Sequence, residues 1–139
     1  MPPQTPSPAT DSLCPCGSKN SLGDCCLPFI EGRQNPLTAE QLMRSRYTAH
    51  KLLAIDYLWD TWSPEQRLRS SQADIRAWAE SCEWLGLQIV STRHGGPGDI
   101  KGIVEFIALF RQQGQVHQHH EVSQFKKESG KWLYIDHQP

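Results

Sequence analysis

The chain has 139 residues, 14 basic and 15 acidic side chains and a formal net charge of −1, which suits one ordinary domain with a small appendage and excludes a general attraction to nucleic acid or anionic membranes. Its apolar content is 37%, and no apolar run approaches the ~20 residues a membrane helix needs. The start, MPPQTPSPATDS, has neither the basic nor the apolar region of a signal peptide, so a reducing cytoplasmic setting is expected, where clustered thiols serve metal or redox chemistry more often than disulfides.

In chain order, residues 1–11 are expected to form a disordered tail, because their Pro, Ser and Thr content buries too little surface to offset ordering entropy. Residues 12–30 contain four of the five cysteines, Cys14, Cys16, Cys25 and Cys26, within CPCGSKNSLGDCC. EGRQNP, 31–36, reads as a linker. Thr38 with Gln41 three residues on starts a helix as a capping box, and Leu42, Arg46, Ala49 and Leu53 then share one face. Asp56 is expected to cap a second helix that carries Tyr57, Leu58, Trp59 and Trp62 and stops at Pro64. A third helix covers 71–81, with Ile75, Trp78 and Ala79 on one side. Beyond Cys82 the pattern changes to strands over 84–94, 100–111, 115–127 and 131–137, broken by GGPG at 95–98 and by turns at Gln113-Gly114 and Ser129-Gly130. Helices followed by a four-stranded antiparallel meander mark an α+β domain over 37–139.

Four thiolates this close suit a closed tetrahedral site for a soft cation, with one structural zinc expected. Backbone N–H groups near Gly17 and Gly23, with Lys19, are candidates to offset its negative charge. Reduced thiols on a flexible arm and a redox dithiol are the alternatives, although a Cys25-Cys26 bridge is strained and there is no C-x-x-C. Cys82 stands alone and reads as a buried small hydrophobe.

Two-residue hairpins set a register in the sheet. Phe106 then faces Glu121, Val104 faces Ser123, Phe125 faces Tyr134, and Ser123 faces Asp136. One face carries these residues with Ala108, Phe110 and Trp132. A buried acidic pair must be neutralised, and Arg46 is the expected partner, with Arg44 and Tyr47 as alternates. Two readings stand side by side. In one, Arg46, Tyr47, Phe106, His120, Glu121, Ser123, Tyr134 and Asp136 line a ligand or catalytic pocket whose close carboxylates raise a pKa. In the other, Arg46 bridges Glu121 and Asp136 in a closed core network. His117 and His119 share a strand face, whereas His120 points away from Glu121 and needs a bulge to join it.

CPCGSKNSLGDCC resembles the SEC-C motif, the zinc knuckle named for the C-terminus of the SecA translocation ATPase. That resemblance implies zinc on Cys14, Cys16, Cys25 and Cys26 and docking to a protein partner. The knuckle followed by LMRSRY (42–47), EWLGL (83–87), VEFIALF (104–110), HEVSQF (120–125) and KWLYID (131–136) resembles the YchJ family of small bacterial proteins over nearly the whole chain. His120 matches a histidine of the family pattern, while Val122 stands where arginine is frequent. The resemblance implies a nuclear-transport-factor-2-like domain, a cone of three helices packed into the concave face of a curved antiparallel sheet. The function expected from it is a non-enzymatic adaptor in translocation, chaperone or ribosome-associated work, docking a protein through the knuckle and able to pair as a homodimer through the sheet. A small-molecule-binding protein or enzyme acting in the pocket is the alternative.

Overall fold

The computed structural model of the chain describes residues 11–137, so the tail expected over 1–11 lies outside the described residues except for Asp11. A single 3-10 turn, Leu22–Asp24, and a one-turn helix α1, Leu27–Ile30, close the cysteine segment. The longest helix, α2, runs Ala39–Leu52. The Thr38 hydroxyl accepts from the Gln41 N–H at 3.0 Å, and the Gln41 amide oxygen accepts from the Leu37 N–H at 2.7 Å. The return bond thus falls one residue earlier than in a strict capping box. Leu42, Arg46 and Ala49 are buried along one stripe, but Leu53 is not on it. It adopts a left-handed conformation (φ 58°) as the C-cap and is 39% exposed.

Helix α3, Ile55–Asp60, is capped by Ala54 without a side-chain bond. Asp56 therefore sits in its first turn rather than at its cap. Trp62 lies beyond the end of α3, in a bridge to Tyr134. Pro64 opens a further short helix, α4 (Pro64–Arg67), behind the Ser63 cap, because proline at the first helical position gives up only an N–H that has no helical partner. Helix α5, Gln72–Ser81, starts at Ser71 as expected, burying Ile75 and Ala79 but leaving Trp78 44% exposed.

Four antiparallel strands follow in the order β1-β2-β3-β4: Glu83–His94, Lys101–Gln112, Gln115–Glu128 and Lys131–His137. Both tight hairpins place two successive residues at positive φ, Gln113-Gly114 (53°, 77°) and Ser129-Gly130 (52°, 78°). Such primed turns match strand twist and fix register. Val104↔Ser123, Phe106↔Glu121 and Phe125↔Tyr134 pair as expected. Alternation along β2 buries Gly102, Val104, Phe106, Ala108 and Phe110. Register shifts at Leu85 and Val90 in β1 and at Ile135 in β4 are bulges that bend their strands.

Helix α2 packs on β1, β2 and β4, and α5 packs on α3. The β1–β2 turn is fixed to the start of α2, with the Ala39 N–H donating to the Gly95 carbonyl at 2.9 Å. A Cβ on Gly102 would lie 2.6 Å from the Gly95 Cα and 2.9 Å from the Ala39 Cβ, so any larger residue here would force the junction apart. The main core joins Leu42, Met43, Tyr47, Val104, Phe106, Phe125 and Trp132 to Cys14, Cys16, Leu22, Cys26 and Leu27. Cys82 is buried. No described helix is long and apolar enough to cross a membrane.

Candidate functional site

Two sites meet around α2. The first is the cysteine segment. A loop from Cys14 to Cys26 is drawn closed by Cys14 N–H donating to the Asn20 carbonyl at 2.8 Å and by a Leu13–Ser21 bridge. Gly17 (φ 82°) permits the return, and its position against the Leu87 carbonyl, 3.0 Å from a notional Cβ, seats the loop on β1. From α2, Arg44 donates to the Cys16 carbonyl at 2.7 Å, and the Thr48 hydroxyl lies 3.6 Å from the Cys14 sulfur.

The four sulfurs of Cys14, Cys16, Cys25 and Cys26 lie within 4.8 Å of one another, and three of the four residues are buried. Cys16 and Cys25 sulfurs are 3.6 Å apart and those of Cys25 and Cys26 3.9 Å. Tetrahedral zinc with bonds of about 2.3 Å sets sulfurs about 3.8 Å apart, so the donor set fits a four-thiolate cation site. Ser18 Oγ is 3.1 Å from the Cys25 sulfur, a hydroxyl placed to support that ligand. Hydrogen bonding with Cys14, and then with Cys26, holds Cys16 far below the ordinary thiol range. Hydrogen bonding with Cys14, and then with Cys16, pushes Cys26 far above it, and burial pushes Cys25 up to about 11. Left to themselves, sulfurs this close cannot all ionise; a divalent cation removes that conflict.

The second site is a cavity of about 210 Å³ between α2, Trp62, Trp78 and one face of the four-stranded sheet. Of the pocket residues expected from sequence, Arg46, Tyr47, Phe106, Glu121 and Tyr134 line it. Ser123 lies fully buried beneath, donating to Glu121. His120 and Asp136 are elsewhere. His120 pairs with Ile107 in an unbroken stretch of ladder and bonds Glu105 at 2.7 Å on the other face. The bulge at Ile135 moves Asp136 opposite Gln124 instead of Ser123, and it forms an ion pair with Arg69 at 3.5 Å.

The network expected around Arg46 takes a different form. Arg46 is buried, 5% exposed, but makes no ion pair with Glu121 or Asp136 among the described residues. Its Nη1 donates to the Leu58 carbonyl at 2.8 Å and to Thr61 Oγ1 at 2.6 Å. Its guanidinium lies 4.9 Å from the ring centre of Tyr134 and 5.7 Å from that of Trp62. Burial pulls its pKa down to about 10.

Glu121 takes its bonds from others: Ser123, Tyr134 OH at 2.9 Å and His119 Nε2 at 2.9 Å. Burial alone raises its pKa, but these three donors outweigh it and hold the carboxyl at about 2. The pair of close carboxylates that was to raise a pKa therefore does not form. His119, at the cavity mouth, is raised in turn by Glu121. His50 donates from Nδ1 to the Arg46 carbonyl at 2.8 Å, and burial lowers its pKa to about 4, so its ring is neutral. Burial raises Tyr47 to about 12. Trp62 and Trp84 line the cavity with ring nitrogens that are buried and without a partner among the described residues.

Sequence reasoning placed His119 on a strand face with His117 but left it out of the pocket, although it lies two residues from Glu121 and the same alternation places both on one face. It also missed the gathering of Trp62, Trp78, Trp84 and His50, which come from four separate segments.

A family model described as YchJ, middle NTF2-like domain, matches residues 38–137. The chain belongs to the YchJ family. A UPF0225 protein of Geobacter sulfurreducens is 46% identical over 125 residues, covering 90% of this chain and 78% of that protein. Another, from Ralstonia nicotianae, is 39% identical over 142 aligned positions, covering 94% of each. The solution structure of a SEC-C motif containing protein from Rhodopseudomonas palustris is similar with a TM-score of 0.84 at 38% identity, over 91% of this chain and 98% of that one. The crystal structure of a sec-c motif containing protein from Psychrobacter arcticus gives 0.79 at 29% identity, over 91% and 82%. In this YchJ chain the matched NTF2-like region holds helices α2 to α5 and the meander, and α1 and the four clustered cysteines precede it.

Proposed function

We propose that this YchJ protein binds a small molecule in the cavity of its NTF2-like domain, and that the cysteine knuckle is a structural zinc site that stiffens the adjoining core. One observation carries the binding reading. Arg46 lines the cavity, buried and charged, with no carboxylate paired to it among the described residues. A buried charge without an ion partner is costly, and a cavity beside it is where a ligand offsets that cost. Aromatic walls with a few polar groups are the usual make-up of a ligand site. Binding is favoured over catalysis by an activated serine, threonine, cysteine or lysine because none of these is among the described lining residues, and the lining carboxylate, Glu121, is engaged by three donors. Four soft thiolates favour zinc over harder cations, and five free cysteines suit the reducing cytoplasm.

The adaptor role expected from the SEC-C resemblance has less support. The knuckle turns Cys14, Cys16 and Cys26 into the core, so a docking partner would have to use the outer turn around Lys19 and Asn20.

Ligand-observed NMR with small aromatic fragments (phenol, indole, benzamide and benzoate) tests the cavity reading. Ala108 is buried in its wall, and Ala108→Phe fills the space. Fragments that bind the native protein and are lost from this variant support the reading; no binding, or binding unchanged by the filled wall, overturns it.

A further inference from the structure

We propose, building on the small-molecule reading above, that the cavity takes a single-ring aromatic monocarboxylate whose carboxylate sits on the side-on edge of Arg46. That edge is the first reason. The protein engages Arg46 only through Nη1, with the Leu58 carbonyl and Thr61 hydroxyl as acceptors, and Nε and Nη2 have no hydrogen-bond partner among the described residues. These two nitrogens form the planar fork that takes a carboxylate through two parallel bonds. The rings of Tyr134 and Trp62 pack by the guanidinium and limit how it can turn, so the fork is held in place before a ligand arrives.

Size and wall chemistry narrow the remainder of the ligand. An apolar cavity of about 150 Å³ accepts benzene, so about 210 Å³ accommodates one ring with a carboxylate and a small substituent. Trp78, Trp84, Phe106 and Phe110 supply flat apolar walls. Trp84 and Phe110 meet at 5.4 Å and Trp78 and Phe110 at 5.5 Å, spacings at which a further ring can pack against them.

Glu121 limits the charge. It lines the same cavity as an anion, accepting from His119, Ser123 and Tyr134. A second carboxylate on the ligand would be repelled there, whereas a hydroxyl could donate to the acceptor capacity that three bonds leave on a carboxylate. Asp74 is absent from this lining and borders an adjoining cavity, on which Arg46 also borders.

The test compares 4-hydroxybenzoate with its neutral isostere 4-hydroxybenzamide and with the dicarboxylate terephthalate, by calorimetry and tryptophan fluorescence. The expected result is that 4-hydroxybenzoate binds at least tenfold more tightly than either, and that Arg46→Met removes the preference over the amide. Equal affinity for acid and amide overturns the carboxylate assignment while leaving a binding cavity in place. Tighter binding of terephthalate overturns the single-charge limit. Failure of all three compounds to bind, together with failure of every neutral fragment, overturns the small-molecule reading itself. The ligand comparison needs only the native protein, so it decides the matter even if Arg46→Met does not fold. Ala108→Phe, with Arg46 intact, is expected to abolish 4-hydroxybenzoate binding; undiminished binding would place the anion outside the cavity and overturn the proposal.

Discussion

Arg46 and Glu121, the cation and the anion of the cavity, are separated by Tyr134, whose ring lies 4.9 Å from the guanidinium while its hydroxyl donates to Glu121 at 2.9 Å. The phenol therefore serves the two charges with different parts of its structure: its face to one, its hydroxyl to the other. An ion pair across the cavity would have closed the site; this arrangement leaves it open.

Tyr134→Phe separates these two contacts. The ring stays under Arg46, and Glu121 loses one donor. The Glu121 pKa is expected to rise, and stability to fall by about 1 kcal/mol, the usual net value of one hydrogen bond. NMR titration of the side-chain carboxyl and urea unfolding read the two effects. An unchanged pKa would mean that the hydroxyl does not support the carboxylate.

The His119–Glu121 pair should give stability a maximum between pH 4.5 and 6.5, the ordinary values of the two groups. Glu121 is held at about 2 in the folded chain, so its contribution is complete above 4.5 and is lost as pH falls toward 2. His119 is raised, so its contribution is complete below 6.5 and is lost as pH climbs through its folded value. At 1.36 kcal/mol per unit, the full Glu121 shift would be about 3 kcal/mol; with part of the site open to water, about half of that is expected on the acid side. His119→Gln should remove the alkaline decline. Urea unfolding at stepped pH measures both limbs, and a decline unchanged in His119→Gln would assign it to another group.

Elemental analysis should find about one zinc per chain, lost in Cys16→Ser. Because Cys14, Cys16 and Cys26 belong to the same core as Leu42 and Phe106, removing the metal with a chelator should lower a single cooperative melting transition, by on the order of 10 °C. Two separate transitions would instead make the knuckle an independent unit. Arg44→Met, which removes the bond from α2 to the Cys16 carbonyl, should weaken zinc retention against a competing chelator by about tenfold, the size of effect usual for a residue supporting a ligand.

Gly102→Ala should destabilise the chain by about 1–3 kcal/mol or more, because the added methyl would overlap Gly95 and Ala39 at 2.6 and 2.9 Å. Guanidinium unfolding measures it. Gly114→Ala offers a contrast of different origin: its Cβ meets nothing within 4 Å, and its cost arises only from positive φ.

Much of the sheet was legible because its determinants are local. Gln113-Gly114 and Ser129-Gly130 favour primed turns, and strict alternation along 101–112 then carries Val104, Phe106, Ala108 and Phe110 to the buried face without reference to any distant residue. The cysteine cluster was legible for a similar reason, since four thiols within thirteen residues have few ways to avoid one another. The pocket was legible only in part. Arg46 was correctly placed on the buried stripe of α2, and Glu121 and Tyr134 on the facing sheet, but the ion partners assigned to Arg46 were not the ones it meets.

What the sequence by itself determined, then, was the succession of three longer helices and a four-stranded meander, without the one-turn helices α1 and α4, together with the hairpin register and the thiol cluster, all of which depend on turn chemistry and side-chain period within short segments. What only the tertiary structure decided was where those segments' polar groups meet. One extra residue at Ile135 turns Asp136 away from Ser123, Tyr134 comes between Arg46 and Glu121, and Trp62, Trp78 and Trp84 converge from three separate segments on one cavity. A bulge shifts the pairing of every residue beyond it, and the position of a buried charge depends on the packing of every element around it, so neither can be read from periodicity along a single strand or helix.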